Sequence, residues 1–454
     1  MRGGASIRRT LCALAVAIGA FAVPGAASAS VADFAMAVQP DGKVLLAGGS
    51  GRIGGAASGK EVGAVVRYEA DGNLDRSFGD GDGVALLRQL EPFTALALQP
   101  DGRILLTSHP GRLSRLLANG RLDPSFGVGG MSPPGALSAY YPTSVASIGA
   151  AGILVGGMTG YLEDPAEHLY GRLYLYPPDG LSSQWVGSMT SGDGRVGEPK
   201  TYLNDFVVGR GGKVVGAGTA AAREPGARTQ AALARLLPAP DDGVYPTGPD
   251  PSFGAGAGLV RSSFFPASPA PELANALSLH KGRLLIAGQA DGQALVARYS
   301  GSGALDTHFG RAGAATTRVR TSSVANALAT PTAGGILSAG GSAYGCGAGS
   351  CEGLLLARYK GNGRPDRRFG GGDGIVSPGV DTGTYGTPAS EVAYGVAGPK
   401  GAVLVGGLLT TPGSSRFFLR RYLADGTPDG AFGDRGRVTT LPLVAGTPAP
   451  GSGR

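Results

Sequence analysis

The sequence predicts an all-β chain closed into a seven-bladed β-propeller, with four antiparallel strands in each blade. Three observations predict it. Two short signatures each recur seven times; the segments between them are short Val/Leu/Ile runs without polar alternation; and glycine, 82 of 454 residues, falls at fixed places between those runs. Unalternated apolar strands mean that both faces of each sheet are covered, and glycine at constant offsets means tight turns rather than disorder.

The first signature is an apolar stretch, a turn and a second apolar stretch, clearest in Ala95-Leu-Ala-Leu-Gln-Pro-Asp-Gly-Arg-Ile-Leu-Leu106. It returns at 36–48, 145–157, 206–218, 277–288, 328–340 and 396–407. Glycine tolerates positive φ and Asp bonds its own backbone, so the flanking runs fold back as a hairpin of strands one and two. The second signature is Arg-Tyr, then Gly four positions after the Tyr, an apolar residue or Pro at six, Asp at seven and Phe-Gly at ten and eleven. It reads Arg67, Tyr68, Gly72, Leu74, Asp75, Phe78, Gly79 and again Arg298, Tyr299, Gly303, Leu305, Asp306, Phe309, Gly310. Strand three ends in this Arg-Tyr, and strand four follows Phe-Gly.

The anchoring aromatics of the seven copies are Phe78, Phe126, Trp185, Phe253, Phe309, Phe369 and Phe432, so the six intervals from 78 to 432 average 59 residues. The fourth copy carries seven extra residues, and the third is one residue short and ends in Trp. This pattern resembles the bacterial delta-60 repeat family, on the Gln-Pro-Asp-Gly-Lys turn at 39–43 and the Gly-x-Leu-Asp-x-x-Phe-Gly segment at 72–79. The resemblance spans about residues 33–441. It implies a tandem β-repeat of propeller type in exported proteins, and it brings no established activity and no catalytic residues.

Such repeats cannot bury their faces alone, and closure into a ring protects end units that an open solenoid exposes. A parallel β-helix is the structural rival, but its coils are shorter and lack two hairpin turns per repeat. The recurring aromatic is expected as a plug between blades, worth about 1.5 to 3 kcal/mol in burial. Arginine recurs as Arg67, Arg115, Arg235, Arg298, Arg358 and Arg421, and Asp as Asp75, Asp123, Asp250, Asp306, Asp366 and Asp429. The third copy lacks both, with Leu175 and Ser182-Ser183 in their places. Joint loss suggests an Arg–Asp ion pair in each blade, and the alternative is that Asp only caps its own turn. Small residues such as Ala95 and Ala97 suggest that strand one lies near the axis, while an offset closure would instead join 437–441 to the first unit.

Arg2, Arg8 and Arg9 precede the apolar run 11–23 and the small-residue stretch 25–29, which reads as a secretory signal peptide cleaved after Ala29. At 13 residues the run is short of the ~20 needed to span a bilayer. The division expected is therefore a signal at 1–29, one seven-repeat domain at 30–441 and a flexible tail at 442–454. Removing the signal takes three arginines and lowers the formal charge from +7 to +4. With no lysine-rich run or basic helix, the basic charge is poor evidence for nucleic acid, and no nucleic-acid partner is expected. Cys12 lies within the signal, which leaves Cys346 and Cys351 for a loop disulfide in an exported chain. No metal site, cofactor or membrane span of the mature chain is expected, and the Asp-Gly runs at 80–83 and 371–374 are turns rather than Ca²⁺ loops.

An up-and-down path puts both recurrent turns on one face of the ring and collects the variable connections, 49–61, 158–170, 188–204, 219–230, 260–272 and 342–353, on the other. Loops on a rigid scaffold are where recognition diversifies. The richest part of that face is Tyr161, Glu163, Asp164, Glu167, His168 and Tyr170, near Tyr140, Tyr141 and Tyr202. Aromatics beside carboxylates suit sugars, peptides or cationic groups, and the alternative is that these residues merely pack against neighbouring blades. His109, His168, His280 and His308 stand in no H-E-x-x-H motif, and there is no nucleophile elbow or P-loop. The expected function is a secreted, monomeric, non-enzymatic binding module for an extracellular glycan, peptide or protein. The alternative is a secreted propeller lyase or hydrolase, which would bring three or more His, Asp or Glu side chains together at the central mouth.

Overall fold

The computed structural model describes residues 33–49, 62–133, 140–159, 170–188, 201–220, 228–237, 248–331, 334–346, 349–379, 389–399, 401–411 and 414–440. Within them the chain forms seven antiparallel sheets arranged as the blades of a propeller, and their only helical turns are three short 3-10 segments. Blade one is β1 (Phe34–Val38), β2 (Val44–Gly49), β3 (Gly63–Tyr68) and β4 (Val84–Leu87). Blade two is β5 (Phe93–Leu98), β6 (Ile104–Ser108) and β7 (Arg112–Leu116). Its outer edge continues through a bridge between Ser114 and Met131, where the fourth strand of other blades runs. Blade three is β8 (Tyr140–Ser147), β9 (Ile153–Thr159), β10 (Tyr170–Tyr176) and β11 (Gln184–Ser188), and blade four is β12 (Thr201–Val208), β13 (Val214–Ala220), β14 (Gln230–Leu236) and β15 (Leu259–Ser262). Blade five is β16 (Leu273–His280), β17 (Arg283–Ala290), β18 (Gln293–Tyr299) and β19 (Ala314–Thr317). Blade six is β20 (Ser322–Ala329), β21 (Ile336–Cys346), β22 (Gly349–Tyr359) and β23 (Ile375–Val376), and blade seven is β24 (Ser390–Ala397), β25 (Ala402–Thr411), β26 (Ser414–Leu423) and β27 (Arg437–Thr440).

Each blade is one stretch of chain, with its strands paired in sequence order. β27 pairs with β26, so the ring closes without lending a strand to the first unit. Closure is instead by contact: β1 touches β24, and the Tyr68 hydroxyl donates to Thr440 Oγ1 at 2.7 Å. The first strands of neighbouring blades touch one another around the ring, which places strand one innermost. Second strands are buried on both faces; Val44, Leu45, Leu46 and Ala47 are at most 1% exposed, as their unbroken hydrophobicity requires.

The second signature builds a contact between blades. Phe78, Phe126, Phe253, Phe309, Phe369 and Phe432 are fully buried, each beneath its blade's arginine, with the guanidinium carbon 4.5 to 5.8 Å from the ring centre. The same arginines donate from Nε to the repeat aspartate, as in Arg115 to Asp123 at 2.8 Å and Arg298 to Asp306 at 2.9 Å. Their Nη1 atoms reach a carbonyl in the second-hairpin turn of the following blade: Ala118, Pro178, Gly301, Gly361, Ala424 and, across the closure, Ala70. The glycine of that turn lies flat on the Phe ring. A Cβ on Gly120 would stand 2.8 Å from Phe78, and one on Gly72 would stand 2.9 Å from Phe432.

The two readings of the aspartate are both realised, on different oxygens. Asp75 Oδ2 takes the Arg67 guanidinium, while Oδ1 accepts the Ser77 amide at 2.9 Å and so caps the turn. In four blades a further cation joins from the residue after the first turn: Lys43, Arg103, Lys213 or Arg283. The basic residue that ends the Pro-Asp-Gly-Lys turn thus ties the first signature to the second. Burial alone would raise the Asp75 carboxyl, but the Lys43 and Ser77 hydrogen bonds and the Arg67 charge outweigh it and hold it far below the ordinary range.

Trp185 departs from the expected plug. It lies in β11 and is 57% exposed, whereas every Phe of the series is buried. Its copy is one residue short, and in a strand a one-residue shift turns a side chain to the opposite face. With Leu175 in place of the arginine, blade three makes no such contact toward blade four.

Candidate binding face

The innermost strands enter from the face that carries the variable connections, and the first rows of blades three and four bring tyrosines to its rim. Tyr140 and Tyr170 both pair with Thr159, which puts these three positions in one row across blade three. Tyr141 pairs with Met158 one row deeper, and Tyr202 of blade four pairs with Thr219. Tyr140 belongs to the core. It is fully buried, its hydroxyl donates toward the carbonyls of Arg172 and Val155, and its ring meets Tyr174 edge-on. Tyr141 and Tyr202 are half-buried, and burial raises the Tyr202 hydroxyl above its ordinary value.

His109 completes this group. It stands in the short connection between β6 and β7, and its ring stacks on Tyr141 with centres 4.2 Å apart and planes 9° from parallel. Burial holds the imidazole pKa down against a hydrogen bond to the Tyr140 backbone and the charge of Glu91. Nδ1 is buried without a hydrogen-bond partner. A neutral imidazole bonded to a carbonyl through one nitrogen keeps a lone pair on the other, so this position is an acceptor. No motif surrounds His109 in the chain, and what gives it a place here is the pairing of β8, a tertiary fact.

Of the other residues expected on this face, Tyr161, Glu163, Asp164, Glu167 and His168 lie outside the described residues, as does the Tyr170 side chain. Cys351 is buried in the long β21–β22 hairpin, and the side chain of Cys346 lies outside the described residues. Among the described residues no group of three or more His, Cys, Asp or Glu could hold a metal ion, and no helix is long and apolar enough to cross a membrane.

The acids in and beside the inner strands have structural partners. Glu272 accepts the Phe264 and Phe265 amides at 2.8 to 2.9 Å. Glu391 makes a two-pronged ion pair with Arg420 at 2.6 and 2.9 Å. Asp205, fully buried, accepts from Ser144 Oγ of blade three at 3.0 Å, from the Phe206 amide at 2.8 Å and from the Leu277 amide of blade five at 2.9 Å. It stands just after a β-bulge, where other inner strands carry Ala95, Ser144, Ala276, Ala327 and Gly395.

The bulged residues form a second series of contacts between blades that the sequence reading missed. Thr143 donates to the Leu203 carbonyl, Asn204 to Ala274, Asn275 to Ala325 and Asn326 to Ala393, at 2.8 to 3.2 Å. The repeated Asn-Ala-Leu at 275–277 and 326–328 is their trace in the sequence. A cleft of about 620 Å³ lies elsewhere, at the outer closure seam, lined by Tyr68, Asn73, Leu74, Arg76, Asp82 and Thr440. It owes its shape to repeat turns meeting β27 and is separate from the tyrosine rim.

Comparison with known proteins agrees with a β-propeller repeat family. Residues 39–78, 99–126 and 401–432 match a family described as a domain of unknown function (DUF5122) beta-propeller, together well under half of the chain. No curated protein matches. Among solved structures, NanB with Optactamide is 10% identical with a TM-score of 0.32, covering 86% of this chain and 64% of its own. A mutant of NanB sialidase from Streptococcus pneumoniae is 11% identical with a TM-score of 0.25, covering 89% and 61%. An exo-beta-1,3-galactanase from Clostridium thermocellum is 13% identical with a TM-score of 0.28, covering 87% and 88%. The chain thus spans less than two thirds of the NanB structures it matches.

Proposed function

We propose that the protein is a secreted, monomeric, non-enzymatic binding module of the delta-60 repeat type, which recognises a glycan, peptide or protein outside the cell through its variable face. The observation that carries this reading is the engagement of the acids in and beside the inner strands. Asp205, Glu272 and Glu391 are each held by partners within the fold, whereas a hydrolase or lyase needs acids converging on a shared point with lone pairs to offer. Tyr141 and Tyr202 supply rigid, half-exposed aromatic surface, and His109 supplies a buried acceptor beside it. Such a mixture of ring and polar group gives contact area at low entropy cost.

A glycan and peptide array probed with the purified mature chain tests it. Binding is expected, with Tyr141→Ala and Tyr202→Ala each weakening it at least about tenfold, which is ~1.4 kcal/mol. Binding undiminished by both changes would remove this face from consideration, and turnover of an arrayed glycan would favour the enzyme.

Export and the disulfide belong to the same proposal. Register positions 346 and 351 are diagonal neighbours in the β21–β22 hairpin, which supports a bridge between Cys346 and Cys351. The intact mass of the chain recovered from the medium is expected to begin at Ser30 and to rise by two hydrogens on reduction. A mass that includes residues 1–29, or one that reduction leaves unchanged, would count against it.

A further inference from the structure

The interface between blades six and seven breaks a contact that others repeat. In three interfaces the tyrosine of the second signature closes on the blade before it: Tyr68 donates to Thr440 Oγ1, Tyr299 donates to Ser262 Oγ, and the Tyr359 hydroxyl pairs with Thr317 Oγ1, at 2.7 to 2.8 Å. Those partners stand four positions after Gly436, Gly258 and Gly313, and the same place in blade six, four positions after Gly374, is Pro378. Its ring has no hydroxyl to offer. Tyr422 of blade seven is 1% exposed and its hydroxyl is unpaired. The Arg420 guanidinium beside it can only donate, so the phenolic proton has no acceptor.

Charge gathers at the same place. Arg420 and Arg437 pair directly across β26 and β27, so they share the face that carries Tyr422 two residues on. Other blades put Val66, Ala297 and Ala357 at the first position and Val84, Ala314 and Ile375 at the second. Ala297 and Ala314 lie in the apolar core between blades four and five, whereas the arginines bring two cations to the corresponding place. Among the described residues Glu391 is the only acid within ion-pair reach of either. Its carboxylate is engaged by Arg420 and stands 3.9 Å from Arg437 Nη2, too far for a hydrogen bond. Arg437 Nε and Nη2, the two corners of one fork edge, are buried with no hydrogen-bond partner. One positive charge is thus in excess, beside buried N–H and O–H groups that nothing in the fold accepts, an arrangement that is costly unless it is matched.

We propose that the Arg437 Nε–Nη2 edge and the Tyr422 hydroxyl hold a small monovalent anion, of the class of chloride, between blades six and seven. One excess charge calls for a single negative charge. The donor atoms have no exposed surface, which suits a compact ion and excludes a bulky one. The guanidinium edge offers two parallel N–H groups, the geometry that grips an anion best. The ion would tie the outer strand of the last blade to its neighbour, next to the seam where the ring closes.

The test uses the mature chain purified throughout in sodium gluconate, an anion too large for the site. Exchange of gluconate for chloride at constant ionic strength is expected to raise the melting temperature and to saturate, by roughly 3 °C at a hundred times the dissociation constant. Arg437→Met is expected to abolish this response. Tyr422→Phe is expected to raise the half-saturating chloride concentration at least about tenfold, and it stands in for Arg437→Met should that variant fail to fold. Crystals grown in bromide are expected to show an anomalous peak between Arg437 Nε and the Tyr422 hydroxyl. The proposal is overturned if chloride and gluconate give the same melting curve, if the variants keep the response of the parent, or if no anomalous peak lies at that point.

Discussion

Replacing Phe309 with alanine is expected to destabilise the ring by about 3–5 kcal/mol, read as a drop in the urea midpoint and in the melting temperature. The side chain is fully buried between blades five and six. A Cβ on Gly363 would come within 3.0 Å of its ring, so no neighbour is positioned to collapse into the space it leaves. The Arg298 guanidinium, 4.7 Å from the ring centre, would lose its aromatic face while still held by Asp306 and the Gly361 carbonyl. A cavity and an exposed cationic edge therefore arise together, which places the substitution in the upper part of the range for large-to-small changes. A measured loss below about 1 kcal/mol would mean that the blades do not depend on this plug.

The architecture was legible because propeller physics writes itself locally. A blade needs two hairpin turns, a covered central strand and a plug, and each has a short motif at a fixed offset. The Arg–Asp pair was readable as a joint loss in one repeat, and its capping role as turn chemistry; what the sequence could not show was that one carboxylate performs both. Trp185 was misassigned because spacing alone does not tell which face of a strand a residue occupies, and one missing residue reverses it. The inner contacts of Thr143, Asn204, Asn275 and Asn326 were missed because a β-bulge is a property of strand pairing. His109 and Tyr141 lie 32 positions apart and meet only once blades two and three are side by side. Five of the seven expected binding residues lie outside the described part of the chain, so the candidate face rests on Tyr202, Tyr141 and His109.

The inner ring also predicts an unusual pH dependence, centred on Asp205. Burial raises its carboxyl from 3.8 to about 7 against three hydrogen bonds that favour the charged form. Below about pH 4 the group is protonated in folded and unfolded chains alike and has no effect on the balance. From pH 4 to 7 the unfolded chain ionises while the folded one does not, so stability falls by about 1.4 kcal/mol for each pH unit. Above about pH 7 both forms are charged and the loss levels off, at a total on the order of 4 kcal/mol. The repeat aspartates act in the opposite sense and lower down. Asp75, Asp123, Asp250, Asp306 and Asp366 are held below the ordinary range, so their contribution is present above about pH 4 and lost as pH falls further. Together the two sets place the stability maximum in mildly acid solution. Urea unfolding of the parent and of Asp205→Asn from pH 4 to 8 isolates the inner term. The exchange leaves an amide badly paired at every pH, at a constant cost of about 1–3 kcal/mol that cancels between pH values. The parent is expected to lose stability relative to the variant as pH rises to 7 and to run parallel to it beyond. A difference that stays flat across that range would show that Asp205 is charged in the folded ring, and that its contacts to blades three and five outweigh its burial.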